Sequence, residues 1–274
     1  MGWGTGELWG LRNKEMQMSD TPLGRFCWFD LVTTAPDEAP AFYRDVVGWG
    51  TAPFEEGAEP YTMWTNGDKP LGGVMQLPPE AAAAGTPPHW LAYVSTPDVK
   101  ATAAKAVELG GAVLGEFSIP TVGSVAILAD PQGAAIAAFQ PLEGAPGHDE
   151  PAGLGEFSWH ELMTDGWEAA WDFYSALFGW EKTDQFDMGE MGIYQMYGRG
   201  AHPLGGMSNR PPEMPMSAWL YYIRVDDVAA AVERVKAGGG QILYGPMEVP
   251  GGDMVAACTD PQGAAFAVHA TAAA

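Results

Sequence analysis

Two short stretches of this chain each set an indole and a carboxylate two residues apart. CWFDLV at 27–32 carries Trp28 and Asp30, and SWHELM at 158–163 carries Trp159 and Glu161. Both alternate as β-strands do, so residues i and i+2 share a face. On that reading Trp28, Asp30 and Val32 lie opposite Cys27, Phe29 and Leu31, an apolar face suited to packing on a helix. The second stretch divides into Trp159, Glu161 and Met163 against Ser158, His160 and Leu162. An inward acid needs a partner or water, because burying it unpaired is costly. Two readings stay open for Asp30 and Glu161. They are satisfied by nearby backbone or tyrosine hydroxyls, or they orient a ligand or act as a general base. A further ionisable candidate, His269, ends DPQGAAFAVH, where the matching DPQGAAIAAF has Phe139. The sequence shows no Ser-His-Asp constellation, phosphate loop or CxxC motif.

These pairs recur because the chain is a tandem repeat. CWFDLVTTAPDEAPAFYRDVVGW at 27–49 returns as SWHELMTDGWEAAWDFYSALFGW at 158–180, LGGVM at 71 as LGGMS at 204, and HWLAYV at 89 as AWLYYI at 218. The offsets stay between 129 and 133 residues, which leaves room only for small loop changes. A Pro/Gly-rich acidic stretch, PLEGAPGHDEPAGLG, lies between the copies and reads as a linker. The domain plan is a loose extension at 1–22, one domain at 23–141, a linker at 142–154 and a second domain at 155–274.

Each half repeats a smaller unit: strand, helix, then further strands. In the first half a strand at 26–32 precedes a helix at 37–47, with Asp37 as N-cap and Pro40 in the first turn. In the second copy Asp165 and Glu168 have capping-box spacing. The order restarts with a strand at 89–94, a helix at 99–109 ended by Gly110-Gly111, and strands near 112–119, 124–129 and 134–140. Asp-Pro-Gln-Gly has type I turn chemistry and reads as a local structural signal.

The FY…GW helix end, the LGG strand and the DPQG hairpin, spread over residues 24–272, resemble the vicinal oxygen chelate superfamily. That superfamily includes glyoxalase I, extradiol dioxygenases and bleomycin resistance proteins. The resemblance implies an α+β fold: four βαβββ modules pairing into two glyoxalase-like open β-barrel domains. It also implies a divalent metal held by His, Gln and Glu. Here the matching positions are Trp28, Leu91 and Ala137 in one half and Trp159, Leu220 and Ala267 in the other. None offers a lone pair to a cation, so the expectation is no metal site and no cofactor. In such a barrel Trp28, Asp30 and Tyr93 face one cavity, and Trp159, Glu161, Tyr222 and Arg224 face the other, joined by His269. Glu161 and His269 are the candidate acid–base pair, on first and last strands that such a barrel brings near one another; if within hydrogen-bond reach, each charge would favour the other. His148 and His202 read as solvated, and His160 as a hydrogen-bonded core residue.

The bulk composition narrows the partners. The chain has 274 residues, 47% of them apolar, with 13 Lys+Arg against 35 Asp+Glu and a net charge of −22. Such a surface repels phosphate backbones, which argues against nucleic acid or an anionic membrane as partner. Two cysteines make no disulfide framework, which fits a cytoplasmic setting. The expected function is binding of a small, partly apolar metabolite in the concave cavities. Two alternatives accompany it. One is a metal-independent or displaced-metal lyase, isomerase or oxygenase using Glu161 and His269; the other is an interaction protein with vestigial cavities. Oligomeric state is not legible.

Overall fold

The computed structural model describes residues 21–55, 61–200 and 202–272. The expected extension at 1–22 therefore lies almost wholly outside the described residues. The first half runs β1 (Phe26–Thr33), α1 (Ala39–Val47), β2 (Gly50–Phe54), β3 (Tyr61–Asn66), β4 (Lys69–Gln76), α2 (Pro79–Ala83), β5 (His89–Ser95), α3 (Val99–Glu108), β6 (Ala112–Ile119), β7 (Gly123–Ala129) and β8 (Ala135–Pro141). The second runs β9 (Phe157–Thr164), α4 (Trp167–Phe178), β10 (Glu181–Asp187), a 3₁₀ turn (Gly189–Met191), β11 (Ile193–Arg199), β12 (His202–Asn209), β13 (Ala218–Arg224), α5 (Val228–Ala237), β14 (Gln241–Glu248), β15 (Met254–Thr259) and β16 (Ala265–Ala270).

Each half forms one eight-stranded mixed sheet, ordered β2-β3-β4-β1-β5-β8-β7-β6 and β10-β11-β12-β9-β13-β16-β15-β14. Within a module the first strand runs parallel to the last, as β1 does to β4 and β5 to β8. The two modules of a half join antiparallel through their first strands, β1 with β5 and β9 with β13. The sheets curve without closing by hydrogen bonds, so each is an open barrel with a concave face.

Local signals account for most boundaries, with two corrections. Helix α1 starts at Ala39, with Glu38 and not Asp37 at the N-cap, and tolerates Pro40 in its first turn. In the second half Gly166 takes the N-cap of α4, and Asp165 is drawn away by Arg210, whose Nε lies 2.7 Å from its carboxylate. A guanidinium pair outcompetes the weaker cap. Asp98 and Asp227 do cap α3 and α5, each accepting from the backbone N–H three residues on.

The helix-bearing faces of the two sheets pack against each other, and one hydrophobic core runs through both halves. The repeated motifs meet there. Tyr43 of the first FY donates to Asp260 of the second DPQG at 3.2 Å, and Tyr174 of the second FY donates to Asp130 of the first at 3.1 Å. Trp90 and Trp219 donate in turn to those tyrosine oxygens. The Trp of each Gly-Trp pair bonds a backbone carbonyl across the same boundary, Trp49 to Gly155 and Trp180 to Gly24. DPQG is thus more than a local turn: it docks one half on the other.

Candidate functional site

The concave faces lie opposite that shared core. Leu91, Tyr93, Val125, Ala137 and Phe139 cluster on the first, with Trp28 packed against them. Leu220, Tyr222, Val255, Ala257 and Ala267 cluster on the second, with Trp159 and Met163. Strand alternation correctly placed Trp28, Tyr93, Trp159 and Tyr222. It failed one residue earlier, because the β1–β5 register slips between Phe26 and Trp28, and the β9–β13 register slips between Phe157 and Trp159. A β-bulge inserts one residue and breaks the period of two. Phe26 and Phe157 therefore join the core, while Cys27 and Ser158 turn with their neighbours toward the concave side. This corrects the helix-facing positions expected for both.

The LGG motif explains how polar groups reach these cavities. A Cβ on Gly73 would stand 2.0 Å from the Tyr61 hydroxyl, and one on Gly206 would stand 2.1 Å from Cζ of Tyr194. Each glycine leaves its neighbouring strand's tyrosine room to lie flat on the sheet. The hydroxyl then reaches inward: Tyr61 to Asp30 at 2.6 Å, and Tyr194 accepting from Trp159 Nε1 at 2.7 Å. Neither tyrosine was among the site candidates that the sequence offered.

From here the halves diverge. Asp30 is 2% exposed and receives hydrogen bonds from Tyr61, from Tyr93 at 2.7 Å, from Trp28 Nε1 at 3.0 Å and from the Gly73 backbone. Burial lifts its carboxyl above the usual range, and these donors oppose the lift. Its acceptor positions are filled. Glu161 has a single donor among the described residues, the Tyr222 hydroxyl, which also exchanges a 2.6 Å hydrogen bond with Tyr244. Burial raises this carboxyl too, with only Tyr222 opposing. Glu161 keeps acceptor capacity facing a cavity of about 1650 Å³, whose lining joins the second concave face to a crevice beside the linker.

The expected pairing of Glu161 with His269 is not made. Glu161 sits opposite Leu220 and His269 opposite Arg224, on strands flanking β13 and four residues apart along it. That places their backbones on the order of 15 Å apart. His269 bonds Ser158 and Asp253 instead, so the second half holds the Ser-His-Asp arrangement that no local spacing revealed. Arg224 lines the cavity but spends its guanidinium on the Ala152 carbonyl of the linker and on Thr271. His160 lies in the core as expected, donating from Nδ1 to the Leu204 carbonyl at 2.7 Å.

Comparisons with known proteins agree with this architecture. The family model described as the Glyoxalase/Bleomycin resistance protein/Dioxygenase superfamily matches residues 156–268, and a glyoxalase-like domain model matches 27–139. A protein of Mycobacterium tuberculosis named "Putative glyoxylase CFP32" is 32% identical over 246 residues, covering 88% of this chain and 92% of that protein. The chain belongs to the vicinal oxygen chelate superfamily. The anthracycline biosynthesis protein DnrV of Streptomyces peucetius is 34% identical over 125 residues, 40% of this chain and 45% of its own. Among solved structures, an Mn(II)-bound glyoxalase from Novosphingobium aromaticivorans superposes with a TM-score of 0.63 at 17% identity, covering 91% of this chain and 83% of that one. The 2,3-dioxygenase LapB of Pseudomonas sp. KL28 gives 0.61 at 10%, with 92% and 94% covered. At such identities these likenesses show the fold alone.

The residues of this superfamily member do not fit the metal that its fold implies. Leu91, Ala137, Leu220 and Ala267 come together with the two indoles as apolar patches on the concave faces. Alkyl side chains offer no donor electrons to a cation. Among the described residues, no three His, Cys, Asp or Glu side chains cluster as a metal site would require. No helix among them is long and apolar enough to cross a membrane.

Proposed function

We propose that the second half binds a small, flat, partly apolar molecule in its concave cavity, its polar end at Glu161, Tyr222 and Tyr244 and its body against Trp159. The observation that carries this reading is the difference between two equivalent carboxylates. Among the described residues Asp30 is saturated by four donors, whereas Glu161 has one and faces open volume. A raised carboxyl with spare acceptor capacity suits a ligand hydroxyl or N–H. The lining supplies aromatic and methionine surface, including Trp159, Met163 and Met247, which adapts to planar apolar shapes. The net charge of −22 disfavours an anion.

Titration with the uncharged fluorophore N-phenyl-1-naphthylamine tests this. Saturable binding is expected, weakened about tenfold or more by Trp159→Ala and little changed by Trp28→Ala. Equal losses from the two variants would remove the preference for the second half. The proposal includes binding without a metal at the family position. Elemental analysis of protein purified from its own host should accordingly return well under one equivalent of Zn, Ni, Fe or Mn. A full equivalent surviving dialysis would overturn that part.

A further inference from the structure

Ser158, His269 and Asp253 form one hydrogen-bonded line at the second cavity. Ser158 Oγ lies 2.9 Å from His269 Nδ1, and His269 Nε2 lies 3.0 Å from Asp253 Oδ2. The other Asp253 oxygen accepts from the Ala272 backbone N–H at 2.8 Å, which fixes the carboxylate. A neutral imidazole carries one proton, and a facing carboxylate demands it on Nε2. Nδ1 is then the acceptor, and the Ser158 hydroxyl its donor. This order of groups activates a hydroxyl: a base at the oxygen, and an acid anion that sets the tautomer and stabilises the imidazolium when it forms. The other partner of Ser158 Oγ, the Tyr222 carbonyl, lies farther off at 3.3 Å.

The first half shows that the fold does not require the line. Counted along the repeat, its equivalents are Cys27, Phe139 and Gly123. The register agrees, with Val125 opposite Phe139 and Val255 opposite His269. Cys27 Sγ approaches the Tyr93 carbonyl at 3.4 Å as Ser158 Oγ approaches that of Tyr222. A small donor on the bulge is therefore structural, while the imidazole and the carboxylate are additions. These changes stand on three separate elements, the bulge of β9, strand β16 and the turn before β15, yet meet in one chain of hydrogen bonds. Ser158, His269 and Asp253 all line the cavity, beside the apolar Val249 and Met247.

We propose that Ser158 is a base-activated nucleophile that takes an acyl group from an uncharged aryl or alkyl ester entering this cavity. Its Oγ bonds to the ester carbonyl carbon as the hydroxyl proton passes to His269 Nδ1. The bond from that carbon to the alcohol oxygen then breaks, and the departing alcohol takes the proton from His269. Water, deprotonated by the same imidazole, adds to the acyl-serine and releases the carboxylic acid and the free hydroxyl. The step shares the cavity proposed above but not Glu161.

The full chain incubated with 4-nitrophenyl acetate tests the proposal, by nitrophenolate release and by mapping acetylated peptides. One acetyl group on Ser158 is expected. Ser158→Ala should abolish it, His269→Phe should slow it by about 100-fold or more, and Asp253→Asn should also slow it by ~100-fold or more through loss of the tautomer. His269→Phe copies the first half, so its fold is expected to survive, and circular dichroism checks each variant. Acetyl groups confined to lysine or tyrosine, or a rate unchanged in Ser158→Ala or His269→Phe, would overturn the proposal. Naphthylamine binding on the same variants separates the two ideas. Binding without acylation sinks the nucleophile alone, and acylation without binding sinks the ligand reading alone.

Discussion

Replacing His160 with phenylalanine is expected to flatten the acid side of this protein's stability profile. His160 is 5% exposed, and its ring stacks on Phe26 of the other half with centroids 3.7 Å apart and planes 3° from parallel. Nδ1 donates to the Leu204 carbonyl, while Nε2 is buried with no hydrogen-bond partner among the described residues. Burial therefore penalises the imidazolium and pushes the pKa down to about 3, against 6.5 for a free histidine. Between those values the unfolded chain binds a proton that the folded chain refuses. The neutral-ring stability is complete above pH 6.5 and drains away as pH falls toward 3, by about 3 kcal/mol at pH 4. Phenylalanine takes no proton and preserves the stack, at a cost of about 1–3 kcal/mol for the Leu204 carbonyl it leaves unmet. Urea titrations at pH 7 and pH 4 should show His160→Phe less stable at the first but closing or reversing the gap at the second. Parallel losses in the two proteins would mean that His160 titrates freely.

The sequence carried the architecture because its signals were repeated: FY…GW, LGG and DPQG each occur at near-constant offset, and together they order the strands. Local alternation then placed Trp28, Asp30, Trp159 and Glu161 on the concave faces. It could not place Cys27 or Ser158, since a bulge is a property of strand pairing and β1 and β9 read as unbroken alternations. Tyr61, Tyr194 and Tyr244 were missed because their hydroxyls enter the cavities from neighbouring or edge strands; the glycines that make room for Tyr61 and Tyr194, Gly73 and Gly206, pair with Met63 and Met196, two residues along from each tyrosine. Asp253 sits in a turn, GGDM, whose spacing to His269 says nothing until β15 and β16 pair. Asp30 and Glu161 carried identical sequence arguments. What separates them is the number of donors each meets, which is decided by strands far away in the chain.

The largest loss of stability should follow from breaking either DPQG carboxylate. Asp130 and Asp260 are 4% and 2% exposed. One oxygen of each accepts two backbone N–H groups inside its own turn, from Gln132 and Ala134 or from Gln262 and Ala264. The other accepts the tyrosine hydroxyl of the opposite half. Alanine at either position strands three donors at once, two of them buried and one part-buried, and the tyrosine among them anchors an indole N–H, from Trp219 or from Trp90. A loss of about 3–5 kcal/mol is expected, a large share of the ~5–15 kcal/mol that stabilises an ordinary domain. Tyr43→Phe removes the cross-half bond and the acceptor of the Trp90 indole N–H but leaves the turn's own bonds to Asp260, and should cost about 1–3 kcal/mol. In a chain already carrying Tyr43→Phe, Asp260→Ala should then cost less than it does in the wild type, because part of its interaction is gone. Tyr43→Phe with Tyr174→Phe should instead add, since the two contacts are separate copies of one device. Because a single core spans both sheets, each variant should still unfold in one transition, shifted to lower urea. Two resolved transitions in Asp260→Ala, or a loss under about 1 kcal/mol, would show that the repeated motif serves its own turn and does not couple the halves.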